Sequence, residues 1–83
     1  MNDMQVRAHF RKMLNIKIKA CAIKNVTLAK LTGAGASQVN RWMDGSLMPT
    51  YREFVRLCQI FGAEDEYLLG TSISESSYER RFK

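Results

Sequence analysis

A short cluster of side chains in this sequence can hydrogen-bond to the edges of DNA bases: Ser37, Gln38, Asn40 and Arg41. A guanidinium can bond O6 and N7 of guanine together, and a carboxamide can pair with N6 and N7 of adenine. Because a helix has about 3.6 residues per turn, residues 36 to 44 would place this cluster and Asp44 on one side of a helix, with Gln38 at the border. An ordinary solvent face more often carries Lys and Glu, so the pattern favours a helix that reads bases.

The opposite side of that helix is apolar and is expected to anchor it from behind. A second, short helix is predicted over residues 25 to 32, with Asn25 as its N-cap and Gly33 after its last residue. A tight glycine-containing turn joins the two helices. The core that fixes the angle between them is expected to contain Leu28, Leu31, Val39 and Trp42.

Three further helices are predicted to hold this pair in position. Hydrophobic spacing predicts one long amphipathic helix over residues 4 to 21, and Thr50 and Glu53 have the spacing of a capping box that starts a helix ending at Gly62. A short helix over residues 63 to 69 is expected to stop at Gly70. The inward-facing side chains of the two longer helices are predicted to be Phe10, Leu14, Ile18, Cys21, Phe54, Leu57, Cys58, Ile60 and Phe61.

The chain is therefore predicted to be all-α, with one domain over residues 1 to 70. Residues 71 to 83 contain several serines and little hydrophobic pattern, so they are predicted to form a tail that is flexible or contacts a second copy of the chain. A chain of 83 residues buries a modest core and leaves little room for a deep catalytic cavity.

Composition narrows the function further. The formal net charge is +5, and residues 1 to 24 carry most of the positive charge, which favours an anionic partner such as nucleic acid. Two Cys and one His fall short of the about four ligands of a zinc site, and both thiols are expected to be buried. No nucleophile stands with a base, so the chain is not expected to be an enzyme or to need a cofactor or metal.

No apolar run approaches the about 18 residues of a membrane span, and the N-terminal region is too charged for a signal peptide. A cytoplasmic protein without a membrane partner is therefore expected.

The motif residues follow one another without a gap from Leu28 to Pro49: Leu28-Ala29, Gly33-Ala34, Ser37-Gln38-Val39, Arg41-Trp42, Gly45 and Pro49. This pattern resembles the Cro and lambda-repressor type helix-turn-helix family, also called XRE-type, and extends more loosely to Leu57, Gly62 and the ending Tyr67 to Gly70. The resemblance implies a compact five-helix lambda-repressor-like domain with the helix-turn-helix in helices 2 and 3. It also implies a phage or prophage type repressor that binds a near-palindromic operator in double-stranded DNA as a homodimer.

The resemblance also implies roles for particular residues. Base contacts would fall on Ala36, Ser37, Asn40 and Arg41, to which the chemistry of its side chain adds Gln38. Phosphate contacts would fall near Asn25 and near Ser46, and the positive charges of Lys17, Lys19 and Arg52 are added as electrostatic contacts. The surface that joins two copies is expected to include Tyr67, Leu68, Tyr78 or Phe82.

Two other functions fit the same residues. The chain could be an antitoxin whose helix-turn-helix regulates its own operon while another surface, for which the tail is a candidate, holds a toxin; a co-purifying partner would reveal this. It could also be a protein-interaction module that kept the fold and lost DNA binding. Binding measured across salt concentrations separates these, since duplex binding weakens steeply with salt.

Overall fold

Residues 1–82, the part of the chain that the structure describes, fold into six α-helices in the computed structural model. The helices are α1 (Asp3–Cys21), α2 (Asn25–Thr32), α3 (Ala36–Asp44), α4 (Tyr51–Phe61), α5 (Asp65–Leu69) and α6 (Glu75–Arg81). The all-α class is confirmed, and over these residues no segment forms a strand. The count of five helices is wrong by one, because α6 was not predicted.

Local sequence signals account for most helix ends. Thr50 Oγ1 accepts a hydrogen bond from the Glu53 N–H at 3.2 Å, and Glu53 Oε1 accepts one from the Thr50 N–H at 2.8 Å, so the predicted capping box is present. The predicted glycine stops after α2, α3, α4 and α5 are also present. At Gly45 the chain leaves α3 with φ of 84°, a left-handed conformation that only glycine adopts without strain.

The N-terminus of α2 differs from the prediction. Lys24 is the N-cap and makes no side-chain cap hydrogen bond, and Asn25 is the first residue of the helix itself. The Asn25 amide instead donates to the side chain of Asn40, 15 residues further along the chain. The assignment of Asn25 as the N-cap is therefore wrong, because its side chain has a tertiary partner.

One core joins α1, α2, α3, α4, α5 and α6 around the predicted apolar faces. Leu28 and Val39 are fully buried and Trp42 is 1% exposed, as expected for the core between α2 and α3. Leu31 is 43% exposed, so its assignment to that core is wrong. It lines a surface groove between α2 and α4 together with Val55, because it lies to one side of the buried face of α2.

The two cysteines differ in their surroundings. Cys21, the last residue of α1, is exposed, so the prediction that it is buried is wrong. Cys58 is half-buried, and burial is the main reason that the pKa of its thiol is raised to about 11. Ile60 is also half-buried, whereas the remaining residues predicted to face inward on α1 and α4 are buried.

The segment after α5 is folded rather than loose. Ser74 caps α6 by accepting a hydrogen bond from the Ser77 N–H, and Ile73, Tyr78 and Phe82 are each less than 10% exposed. Tyr78 Oη donates to the Pro49 carbonyl oxygen at 2.7 Å. The prediction of a flexible tail is wrong for residues 71–82, because these side chains complete the core; Lys83 lies outside the described residues.

Within the part of the chain that the structure describes, no helix has the length and apolar character needed to cross a membrane.

Candidate nucleic-acid interface

One side of α3 is exposed, whereas its other side is anchored in the core. The exposed side chains among its first six residues are Ala36, Ser37, Gln38, Asn40 and Arg41, which we call the outer face of α3. Val39 and Trp42 project from the same helix into the core, and Met43 is half-buried. The periodicity therefore separated the exposed polar residues of α3 from the buried residues Val39 and Trp42 correctly.

Contacts at its C-terminal end hold α3 against α1. Asn15 Nδ2 donates to the Met43 carbonyl oxygen at 2.9 Å and to the Arg11 carbonyl oxygen at 2.7 Å. The Met43 carbonyl lies in the last turn of α3, where carbonyl groups lack a partner within the helix. A side chain of α1 therefore satisfies this carbonyl and fixes the position of α3.

At the start of α2, Asn25 reaches the outer face directly. Its Nδ2 donates to Asn40 Oδ1 at 2.5 Å, and Asn25 is half-buried whereas Asn40 is exposed. The sequence predicted a phosphate contact for Asn25 and a base contact for Asn40, but it did not predict that the two side chains bond each other.

Gln38 also has a partner within the protein. The Gly35 N–H, which precedes α3, donates to Gln38 Oε1 at 2.8 Å. Gln38 is the third residue of α3, a position from which Glu or Gln often bonds back to the residue before the helix. The oxygen of Gln38 therefore caps the helix, and its Nε2 is the group left for an external partner.

The loop after α3 brings Arg41, Asp44 and Ser46 together. Arg41 Nε lies 3.4 Å from Ser46 Oγ, and the Ser46 N–H donates to Asp44 Oδ1 at 2.8 Å. Hydrogen bonds from the side chain and backbone of Ser46 lower the pKa of Asp44 below its ordinary value of 3.8, and the positive charges of Arg41 and Arg11 act in the same direction. Asp44 is therefore a carboxylate at neutral pH, and it orders the loop that contains Ser46.

The predicted electrostatic contacts do not form one group. The Lys17 ammonium lies 4.9 Å from the centre of the Tyr67 ring, on the α5 side of α1. Lys17 therefore does not join the α3 surface, because α1 turns it toward α5. Arg52 is exposed and lines the groove between α2 and α4 with Lys30. Whether Arg52 contacts phosphate stays a prediction.

Arg11 is a basic residue near α3 that was not among the predicted DNA contacts. It is exposed, and its Cδ would lie 3.1 Å from a Cβ added at Gly45, so it borders the end of α3. Arg11, Asn15 and Lys19 are spaced four residues apart and share one face of α1. Because Asn15 on this face contacts α3, Arg11 and Lys19 lie on the side of α1 that faces α3; the spacing groups these residues, but the contact with α3 is seen only in the structure.

Most of the residues expected to join two copies of the chain are buried in the monomer. Leu68 is fully buried, Tyr78 is 1% exposed and Phe82 is 6% exposed, so they are not available for a dimer contact. Their apolar side chains fill the protein's own core instead. Tyr67 is 40% exposed and remains a candidate.

Trp42 has an unusual environment behind the outer face. Its indole is 1% exposed, and its Nε1 has no hydrogen-bond acceptor among residues 1–82. A buried donor without a partner costs about 1–3 kcal/mol. The large apolar area of the indole offsets this cost, so Trp42 acts as a packing residue that supports α3.

Within residues 1–82 the structure contains no group of three or more His, Cys, Asp or Glu side chains that could hold a metal ion.

Comparisons of the chain with protein-family models, with curated proteins and with solved structures give no match.

Proposed function

We propose that this protein binds a short specific sequence of double-stranded DNA through α3 and regulates transcription, as the resemblance to XRE-type repressors implies. The observation that carries the proposal is the division of α3 into an exposed polar face and a buried anchor of Val39 and Trp42. A major groove is about 12 Å wide and admits one helix with its side chains. The outer face of α3 would enter the groove, and other parts of the domain would contact the sugar-phosphate backbone of the DNA.

Base contacts and phosphate contacts fall to different residues in this proposal. Arg41 is the main base reader, because its guanidinium can bond guanine O6 and N7 together. Ser46 in the loop after α3 and Arg11 and Lys19 on α1 bind phosphate, since they lie on elements that flank the outer face or contact α3. Phosphate contacts fix the register of the protein on the duplex, and contacts to base edges provide the specificity.

The test is selection of bound sequences from a random duplex pool, followed by affinity measurements on the selected site. We expect Arg41→Ala to weaken the free energy of binding to that site by about 1–3 kcal/mol and to relax specificity at one base position. Arg80→Ala is a matched control, because Arg80 is exposed on α6 and its loss changes the net charge equally.

Two results would contradict the proposal at different points. An equal loss on random DNA would make Arg41 a phosphate contact and not a base reader. Failure of the wild-type chain to bind any duplex in dilute buffer would end the proposal altogether, since duplex binding is strongest at low salt.

Two copies of the chain are expected on each operator. A domain of this size makes few contacts, and two half-sites about 34 Å apart on one face of the duplex would supply a useful affinity. Of the residues first considered for the dimer contact, Tyr67 is the one that stays exposed. A footprint that covers a single half-site would refute this arrangement.

The antitoxin alternative is weakened at its candidate toxin-binding segment. The segment considered for the toxin begins at residue 71, and its apolar side chains Ile73, Tyr78 and Phe82 are buried against the rest of the chain. We therefore favour the regulator.

A further inference from the structure

The two carboxamides of the outer face have their oxygen atoms engaged within the protein. Asn40 Oδ1 accepts from Asn25, and Gln38 Oε1 accepts from the Gly35 N–H. Pairing with adenine requires one carboxamide to present its oxygen to N6 and its nitrogen to N7 together. With the oxygens turned toward these partners, each side chain presents its NH₂ group to an external ligand.

Arg41 adds only donors to the same surface, because a guanidinium has no acceptor. Its Nε faces Ser46, and its two terminal nitrogens make no hydrogen bond within residues 1–82. Ala36 offers a methyl group. Across the outer face of α3, as the structure describes it, the Ser37 hydroxyl is thus the one side-chain acceptor that has no hydrogen-bond partner within the protein.

We propose that the outer face of α3 is a surface of hydrogen-bond donors, or donor surface, that selects guanine. Asn25 is the positioning residue that turns the NH₂ group of Asn40 outward. This inference rests on the proposed DNA binding and deepens it by stating which base edges are bound. In the major groove guanine presents two acceptors, adenine and thymine one each, and cytosine a donor. Guanine is therefore preferred opposite Gln38, Asn40 and Arg41, and cytosine is excluded there.

Asn25 can set this orientation because its own position is fixed. It is the first residue of α2, and that helix is anchored one turn later by Leu28 and Ala29, which are 0% and 6% exposed. Asn25 therefore meets Asn40 from a rigid element, and in the bond between them Asn25 supplies the NH₂ group. Asn40 is held with its oxygen toward α2 and its nitrogen outward.

The experiment compares sequences selected from a random duplex pool by the wild type and by four variants. Asn40→Ala identifies the base position that Asn40 contacts, because the preference there should disappear. Asn25→Asp replaces the donor with an acceptor, so Asn40 must turn its NH₂ group inward and its oxygen outward. We expect the preference at that position to shift from guanine to adenine or cytosine, with a relative enrichment changed by at least about fivefold.

Thr27→Asp is the matched control for charge. Thr27 is exposed in the first turn of α2, so this variant adds the same negative charge at the same helix end and leaves the bond between Asn25 and Asn40 intact. It should weaken binding to all duplexes and keep guanine at the Asn40 position. Gln38→Glu keeps the acceptor for Gly35 and removes the outward donor, so guanine preference should fall at a different position.

The outcomes separate this inference from the proposed function. If the wild type binds a specific duplex but enriches adenine opposite Asn40, the donor surface is refuted and DNA binding stands. If Asn25→Asp folds, as circular dichroism would report, and keeps guanine, Asn25 is not the positioning residue. If the wild type selects no sequence, both proposals fail.

Discussion

Replacement of Tyr78 tests whether α6 belongs to the folded domain. The Tyr78 ring stacks on Phe54 with a centroid distance of 5.3 Å and lies 5.0 Å from Phe82, and its hydroxyl donates to the Pro49 carbonyl oxygen. Tyr78→Phe keeps the ring but leaves that buried carbonyl without its partner, which costs about 1–3 kcal/mol. Tyr78→Ala also removes the buried aromatic ring, and such a truncation typically lowers the free energy of unfolding by about 3–5 kcal/mol. The free energy of unfolding of a whole domain is about 5–15 kcal/mol, so Tyr78→Ala should come close to unfolding the protein.

The assay is urea unfolding followed by far-ultraviolet circular dichroism. A change in the midpoint without a change in the slope reports a loss of stability alone. Glu79→Ala is the matched control, because Glu79 is the next residue of α6 and is exposed. If Tyr78→Ala stays within about 0.5 kcal/mol of the wild type, as surface substitutions do, α6 is not packed and the segment is the loose tail that its composition indicates.

Three further predictions concern other parts of the fold. Gly45→Ala should lower stability by about 1–2 kcal/mol, because φ is 84° and the new Cβ would lie 3.1 Å from Arg11 Cδ; an unchanged Tm would contradict it. In a thiol titration the exposed Cys21 should react first. The pKa of Cys58 is raised from 9.0 to about 11, which lowers its thiolate fraction about 100-fold, so similar rates for both thiols would count against its burial. Stability should fall as pH rises from neutral to about 10. Burial raises the pKa of Cys58 and Tyr78, so the folded chain retains protons that the unfolded chain releases; urea midpoints at the two pH values measure this, and equal midpoints would refute it.

Helix positions were predictable wherever the signal lies within a few residues. The capping box of Thr50 and Glu53, the glycine stops and the alternation of polar and apolar residues in α3 are all local features, and each is present in the structure. The helix α6 was missed because its hydrophobic residues are few. Tyr78 and Phe82 give one pair at helical spacing, and only packing against the α3–α4 loop and α4 shows that they belong to the core.

The candidate site was predictable in outline but not in its hydrogen bonds. Exposure of Arg41 and burial of Trp42 follow from helical periodicity. The contact between Asn25 and Asn40 joins two helices and depends on their crossing, which periodicity does not give. By contrast, the bond from Gly35 to Gln38 spans three residues and follows a known capping pattern, so it is predictable from the sequence.

Trp42 gives the protein an intrinsic optical probe. It is the single tryptophan of the chain, and its indole lies in an apolar setting directly behind the helix proposed to enter the groove, with no acceptor for its N–H in residues 1–82. Such an indole should emit at shorter wavelength than one exposed to water. Any partner that shifts or tightens the helix would change this emission, so association could be followed without attaching a dye to either molecule.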